Sequence, residues 1–274
     1  MNYRHVFHAG NFADLIKHAV LLQVLGRLTA GRAPVTVIDT HAGAGVYDLR
    51  GPEAKRSGEA EAGVVRLMAE TSPPGAMRPL VAAVRALNSQ GEVNQYPGSP
   101  WLIAQALRPG DGFTACELRP DDSRVLRRVL NGRNGVSVLQ TDGYAAAAAH
   151  TPAAGPALVL IDPPFERPDD YTRLAQTLAA VRRRNRDAWV MAWLPLKDLE
   201  TFDSFLRDVE DRRPGPLLVA EVRLRPLTDP GRMNGCALVM AGVPADLDLT
   251  VTEACAWVTM SASEGGEGRT YRLM

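Results

Sequence analysis

The chain has 274 residues, 46% hydrophobic and 23% charged, with 31 basic side chains balanced by 31 acidic ones. That length supports one large α/β domain or two small ones, and a formal charge of +0 excludes a uniformly basic nucleic-acid coat while leaving room for a local patch. No apolar run approaches the roughly 18 residues needed to cross a bilayer, and no secretory pattern follows Met1. Cys116, Cys236 and Cys255 lie far apart without C-x-x-C spacing, as expected for reduced thiols of a cytoplasmic protein.

Within residues 1–35, Arg4, Lys17, Arg27 and Arg32 face only Asp14 in charge and alternate with Tyr3, Phe7 and Phe12, a mixture suited to nucleic acid. Leu15, Ala19, Leu22 and Leu25 recur at helical spacing, which predicts a helix over 12–30 with Asn11 as N-cap, Asp14 as capping-box partner and Gly31 as its stop. Residues 35–39 are a β-branched run expected as a buried parallel strand, leading directly into Thr40-His41-Ala42-Gly43-Ala44-Gly45. Residues 47–97 are polar at first, then helical from Val64 to Leu67 and from Pro79 to Leu87 around the break at Pro73-Pro74-Gly75, which reads as a small helical insertion. Gly98-Ser99-Pro100 opens a helix over 101–107, with Ser99 also a candidate N-cap. Strands are expected at 113–117, 136–140, 157–161, 188–194, 217–224 and 237–243, with helices at 123–130, from Tyr144, and at 170–182; 261–268 reads as a loop before a last short strand. The alternation indicates a mostly parallel sheet covered on both faces. Arg182-Arg183-Arg184-Asn185-Arg186 reads as a solvated helix end rather than an RNA patch.

In such sheets ligands bind beyond the C-terminal strand ends. Four successive strands end near Asp39, Glu117, Asp142 and Asp162. Gly43 and Gly45 allow close backbone approach, Glu117 suits ribose hydroxyls, and Asp142-Gly143 suits an adenine amine. A dinucleotide fingerprint needs a third glycine three positions after Gly45, where Asp48 stands. A cationic ligand rich in hydroxyl and amine groups and lacking phosphate fits better, and S-adenosyl-L-methionine is such a ligand. After the fourth strand comes Asp162-Pro163-Pro164-Phe165. The prolines hold a rigid turn; Asp162 and a proline carbonyl can accept both hydrogens of a planar amine, while Phe165 stacks on its ring. Histidines at 5, 8, 18 and 41 have irregular spacing and no cysteine pair, which argues against zinc.

Asp39-x-His41-Ala42-Gly43-Ala44-Gly45 together with Asp162-Pro163-Pro164-Phe165 resembles the amino-methyltransferase pattern. The opening Tyr3-Arg4-His5-Val6-Phe7-His8-Ala9-Gly10-Asn11-Phe12-Ala13-Asp14, Lys17-His18 and Tyr96-Pro97-Gly98-Ser99-Pro100 resemble a narrower group, the bacterial RlmJ family, which methylates N6 of one adenine in 23S rRNA. The likeness covers nearly the whole chain; Phe165 departs from the tyrosine more often expected there. It implies a Rossmann-like methyltransferase with a mostly parallel seven-stranded sheet, one domain over 1–274, an insertion over 47–97, an N-terminal binding segment over 1–11, and a monomer. It further implies that His18, His41, Ser99, Glu117, Asp142 and Gly143 contact the cofactor, that Asp162 is catalytic, that Tyr3 meets RNA, and that no metal is used. A DNA adenine methyltransferase, a catalytically silent cofactor-binding protein, and more distantly a protein glutamine methyltransferase are the rival readings.

Overall fold

In chain order the strands are β1 (Thr36–Asp39), β2 (Val46–Asp48), β3 (Gln95–Pro97), β4 (Gly112–Cys116), β5 (Val136–Leu139), β6 (Ala157–Ile161), β7 (Ala188–Leu196), β8 (Leu217–Arg223), β9 (Gly235–Ala241) and β10 (Glu267–Leu273). The helices are α1 (Phe12–Thr29), α2 (Pro52–Ser57), α3 (Arg66–Ala69), α4 (Arg78–Leu87), α5 (Ser99–Ala106), α6 (Pro120–Val129), α7 (Gly143–His150), α8 (Asp170–Arg184), α9 (Leu199–Asp211) and α10 (Asp248–Ala262). The computed structural model describes residues 5–88, 91–263 and 265–274.

β6, Ala-Leu-Val-Leu-Ile, is buried along its whole length, the signature of a strand covered on both faces. Its Leu158 and Leu160 join the core beneath α1, α4, α5 and α10, while Ala157, Val159 and Ile161 join the opposite core with α7, α8 and α9. The sheet order is β10-β8-β9-β7-β6-β1-β4-β5. The pairs β5–β4, β4–β1, β1–β6 and β6–β7 are parallel, whereas β7–β9, β9–β8 and β8–β10 are antiparallel. From β1 the chain goes to β4 and β5 on one side and later to β6 and β7 on the other, so the topological switch point lies at β1.

The sheet has eight strands, one more than expected. The member beyond the expected seven is β10, the last short strand read from the sequence, which joins the sheet edge by pairing with β8 from Glu267↔Arg223 to Leu273↔Leu217. α9 and α10 are absent from the sequence reading, although Phe202, Phe205, Leu206 and Val209 carry the 3–4 spacing of a helix facing the core.

β2 and β3 form a separate antiparallel ribbon, Val46↔Pro97 to Asp48↔Gln95, through which the chain leaves and re-enters the main body. Between them lie α2, a π-helical turn at Glu61–Val65, α3 and α4. The N-terminal segment docks on that turn: Val64 N donates to Gly10 O at 2.9 Å, and a Cβ on Gly63 would lie 2.0 Å from the same oxygen. α1 starts as its sequence indicates, with Asn11 Oδ1 accepting from Asp14 N and Asp14 Oδ2 accepting from Gly10 N.

The 182–186 run is only partly a solvated helix end. Arg182 is buried and donates to the carbonyls of Pro214, Arg186 and Ala188, and Arg184 donates to Thr151 O. These two guanidiniums tie α8 to neighbouring loops because buried carbonyls need donors.

Candidate active site

The C-terminal ends of the parallel strands open into a cavity of about 510 Å³. Asp162, Pro163, Pro164, Phe165, His18, His41, Gly43, Ser99, Glu117, Asp142 and Gly143 all line it. Tyr3 lies outside the described residues. Since β6, β1, β4 and β5 are adjacent, Asp162, Glu117 and Asp142 are spread along one sheet edge. Asp39 is an exception to the expected row of four acids. It is fully buried behind the cavity, where it accepts from Ser99 Oγ (2.7 Å) and His41 N (3.3 Å). Burial pushes its carboxyl up to about 7. Its role is to orient Ser99 and the turn after β1.

That turn explains Gly43. Its φ is +62°, and a Cβ there would lie 2.2 Å from the Tyr47 hydroxyl. Gly43 N donates to Glu117 Oε2 (2.8 Å) and Arg119 N to Glu117 Oε1 (2.7 Å). Each Glu117 oxygen retains a lone pair for a ligand hydroxyl, and burial raises its pKa above the usual carboxylate value. At the next strand end Asp142 caps α7 by accepting from Tyr144 N (3.0 Å), and its other oxygen takes Arg173 Nη2 at 2.5 Å. The Arg173 guanidinium lies 4.4 Å from the Tyr144 ring centroid. Burial works to raise the Asp142 pKa, but Arg173 and the helix N-terminus outweigh it and hold it low. Gly143 is where α7 meets β1: a Cβ there would lie 1.8 Å from Thr40 O.

The histidines have separate partners. His5 Nε2 is 3.0 Å from Asp14 and His8 Nδ1 is 2.9 Å from Glu59. His18 is buried on α1 with Nδ1 2.8 Å from the Tyr96 hydroxyl, and burial pushes its pKa down to about 3, so it is neutral. Thr40 Oγ1 donates to Leu160 O (2.9 Å), so its lone pair meets His41 Nδ1 at 2.7 Å. His41 therefore carries its proton on Nδ1 and keeps Nε2 as an acceptor; burial lowers its pKa to about 4.

Sequence reasoning missed three parts of the site. Lys17, buried on α1, places Nζ 2.6 Å from Asp162 Oδ2 and 2.9 Å from Asp14 Oδ1. Burial opposes its charge, but the two carboxylates prevail and raise its pKa well above the usual lysine value. The i,i+3 pair Asp14–Lys17 within the apolar first half of α1 was the available signal. Arg173 is the second. The third is an aromatic wall: Phe165 stands 4.7 Å from Tyr171 and 6.0 Å from Trp193, centroid to centroid. Phe165 has φ +51°, the left-handed region that costs an L-residue roughly 1–2 kcal/mol.

A family model described as "Ribosomal RNA large subunit methyltransferase D, RlmJ" matches residues 32–273. The chain belongs to this family. Two relatives named ribosomal RNA large subunit methyltransferase J, from Escherichia coli (strain K12) and Haemophilus influenzae, are 29% and 30% identical to it over 269 and 270 residues, 98% of this chain and 96% of each relative. A crystal structure of a Legionella pneumophila protein superposes with a TM-score of 0.88 at 25% identity, covering 96% of this chain and 98% of that one. The span matched by the RlmJ model holds Glu117, Asp142 and Asp162, whereas Lys17 and His18 precede it. The architecture is the mixed α/β methyltransferase fold. Among the described residues no helix is long and apolar enough to cross a membrane.

Proposed function

We infer that this RlmJ-family enzyme transfers a methyl group from S-adenosyl-L-methionine to N6 of a specific adenine in 23S rRNA. The observation that carries this reading is the convergence in one cavity of Asp162-Pro163-Pro164-Phe165 with Glu117 and Asp142. The lining suits the cofactor. Glu117 receives ribose hydroxyls, and Asp142 with Gly143 receives the adenine end. The Gly43 backbone, which a side chain would block, gives close approach, and His18, His41 and Ser99 complete the contacts. Neutral histidines beside several carboxylates favour a ligand carrying positive charge. Bound there, the cofactor supplies an electrophilic methyl group on a sulfonium.

The rest falls to the protein's own groups. An N6 amine has its lone pair conjugated into the ring, so it needs acceptors for both hydrogens. Lys17 occupies Asp162 Oδ2, which leaves Oδ1 to accept one N–H; the Pro163 carbonyl accepts the other. Phe165 stacks on the base and excludes water. Positioning and preorganised charge supply most of the acceleration, and Asp162 as proton acceptor adds a factor of roughly 10²–10⁴. The base must leave its stack, at a cost of a few kcal/mol that is smallest in an unpaired region.

Residues 1–11 are assigned to substrate and cofactor binding, and 47–97 to a helical insertion in a single monomeric domain. A DNA enzyme of this chemistry would need a sizeable target-recognition domain, and 46–97 offers a three-residue ribbon and short helices. The test is mass mapping of methyl-adenine in 23S rRNA from cells with the gene, without it, and with Asp162→Ala. The expected result is methylation only with the intact gene, while cofactor affinity of the purified variant changes less than about threefold. Substantial turnover by Asp162→Ala would overturn the assignment.

A further inference from the structure

Next to the aromatic wall the cavity is lined by Pro195, Lys197 and Met233, of which Lys197 is the exposed one. Lys197 follows β7 directly and is exposed, and its ammonium has no carboxylate partner among the described residues. The acids beside it are turned elsewhere. Asp198 spends both carboxylate oxygens on Thr201 at the start of α9 (2.7 and 2.9 Å), and Asp229 accepts from Gly231 N (3.0 Å) within its own loop. The loop joining β8 to β9 is fastened to this spot by Asn234, which is fully buried. Its backbone N donates to Leu196 O (2.7 Å), and its Nδ2 donates to both Lys197 O (2.6 Å) and Asp229 O (2.7 Å). Arg232, exposed and without a side-chain partner among the described residues, immediately precedes the cavity-lining Met233. Two cations, Lys197 on the cavity lining and Arg232 next to the lining residue Met233, thus sit on a braced segment near the aromatic wall of Phe165 and Trp193.

A base seated with its amine at Asp162 leaves its ribose and flanking phosphates at the mouth. Phosphates are what free Lys and Arg side chains bind there, and a rim cation supplies affinity without reading sequence. We propose that Lys197 and Arg232 receive the phosphodiester backbone of the RNA on either side of the adenine that enters the cavity along the Phe165–Trp193 wall. This rests on the RNA reading above and adds the surface that holds the strand.

The test measures binding of a protein-free 23S rRNA transcript to Lys197→Ala, Arg232→Ala and the double variant across a salt series, with methyl transfer by the unsubstituted enzyme as reference. Each single change is expected to weaken RNA binding several-fold at low salt and to flatten the slope of log K against log[salt] by about 0.7–0.9, with the double variant losing about twice that. Lys197→Arg is expected to restore the slope. Calorimetric affinity for S-adenosylhomocysteine is expected to stay within about twofold, which separates a rim contact from general damage. Unchanged slopes in variants of an enzyme that methylates the transcript would overturn this proposal alone. Absence of methyl transfer by the unsubstituted enzyme would overturn the RNA reading and this proposal with it.

Discussion

The site is decided by single side chains whose partners come from distant parts of the chain. Lys17 serves two carboxylates at once, and removing one member of such a buried set leaves charge uncompensated. Lys17→Met should lower unfolding stability by about 3 kcal/mol, read as a drop in the urea midpoint; an unchanged midpoint would mean that Asp14 and Asp162 do not depend on it. Arg173 acts through Asp142, whose carboxylate it holds ionised and oriented. Arg173→Gln should weaken S-adenosylhomocysteine binding about tenfold. It should also shrink the preference over S-inosylhomocysteine, which lacks the amine that the proposed function assigns to Asp142. Equal losses for both ligands would indicate a merely structural role.

Among elements, the approach of α7 to the end of β1 matters most for the cavity. Asp142 caps that helix and Gly143 begins it against the Thr40 backbone. Gly143→Ala forces a Cβ onto a carbonyl that cannot swing aside, so the helix start must move. Cofactor affinity should fall more than tenfold, while the stability of the remote α9–β8 region changes little, measured by titration and hydrogen exchange. The parallel strands were legible to within a residue, apart from β7, which runs two residues further, because apolar runs ending in Gly, Pro or an acid leave few alternatives. β2 and β3 were not: three-residue strands have no period to read. α9 did carry a readable pattern at Phe202, Phe205, Leu206 and Val209, which the charged residues between them obscured.

For the whole molecule, packing sets how stability responds to pH. His18 has an ordinary value of 6.5 and is pushed by burial to about 3 in the fold, so between those values the unfolded chain binds a proton that the folded chain refuses. Stability from this group is complete above 6.5 and is lost as pH falls. Asp39 works the other way. Its carboxyl is raised from 3.8 to about 7, so the folded chain holds the extra proton, and that stability is lost as pH rises from about 4 to 7. The two slopes oppose each other over their shared window. Asp39→Asn keeps an acceptor for Ser99 but removes its slope. The unfolding constant of the variant should therefore rise on acidification from pH 6.5 to 4.5 by up to about tenfold per unit more than that of the unsubstituted protein. Urea titrations at several pH values check this; parallel curves would contradict it.

By itself the sequence determined the parallel core, the cavity-lining acids at 117, 142 and 162, and the placement of Asp162-Pro163-Pro164-Phe165 at the end of β6. These are properties of residue type and strand ends, carried by local order along the chain. Tertiary structure alone decided that Asp39 lies behind the cavity and not in it, that Lys17 reaches across 145 positions to Asp162, and that Arg173 clamps Asp142. It also decided that the last strand runs seven residues and pairs with β8 as an eighth member of the sheet. Each depends on which faces meet when helices pack on the sheet, and no periodicity within one segment records the side chain that a neighbouring element will present.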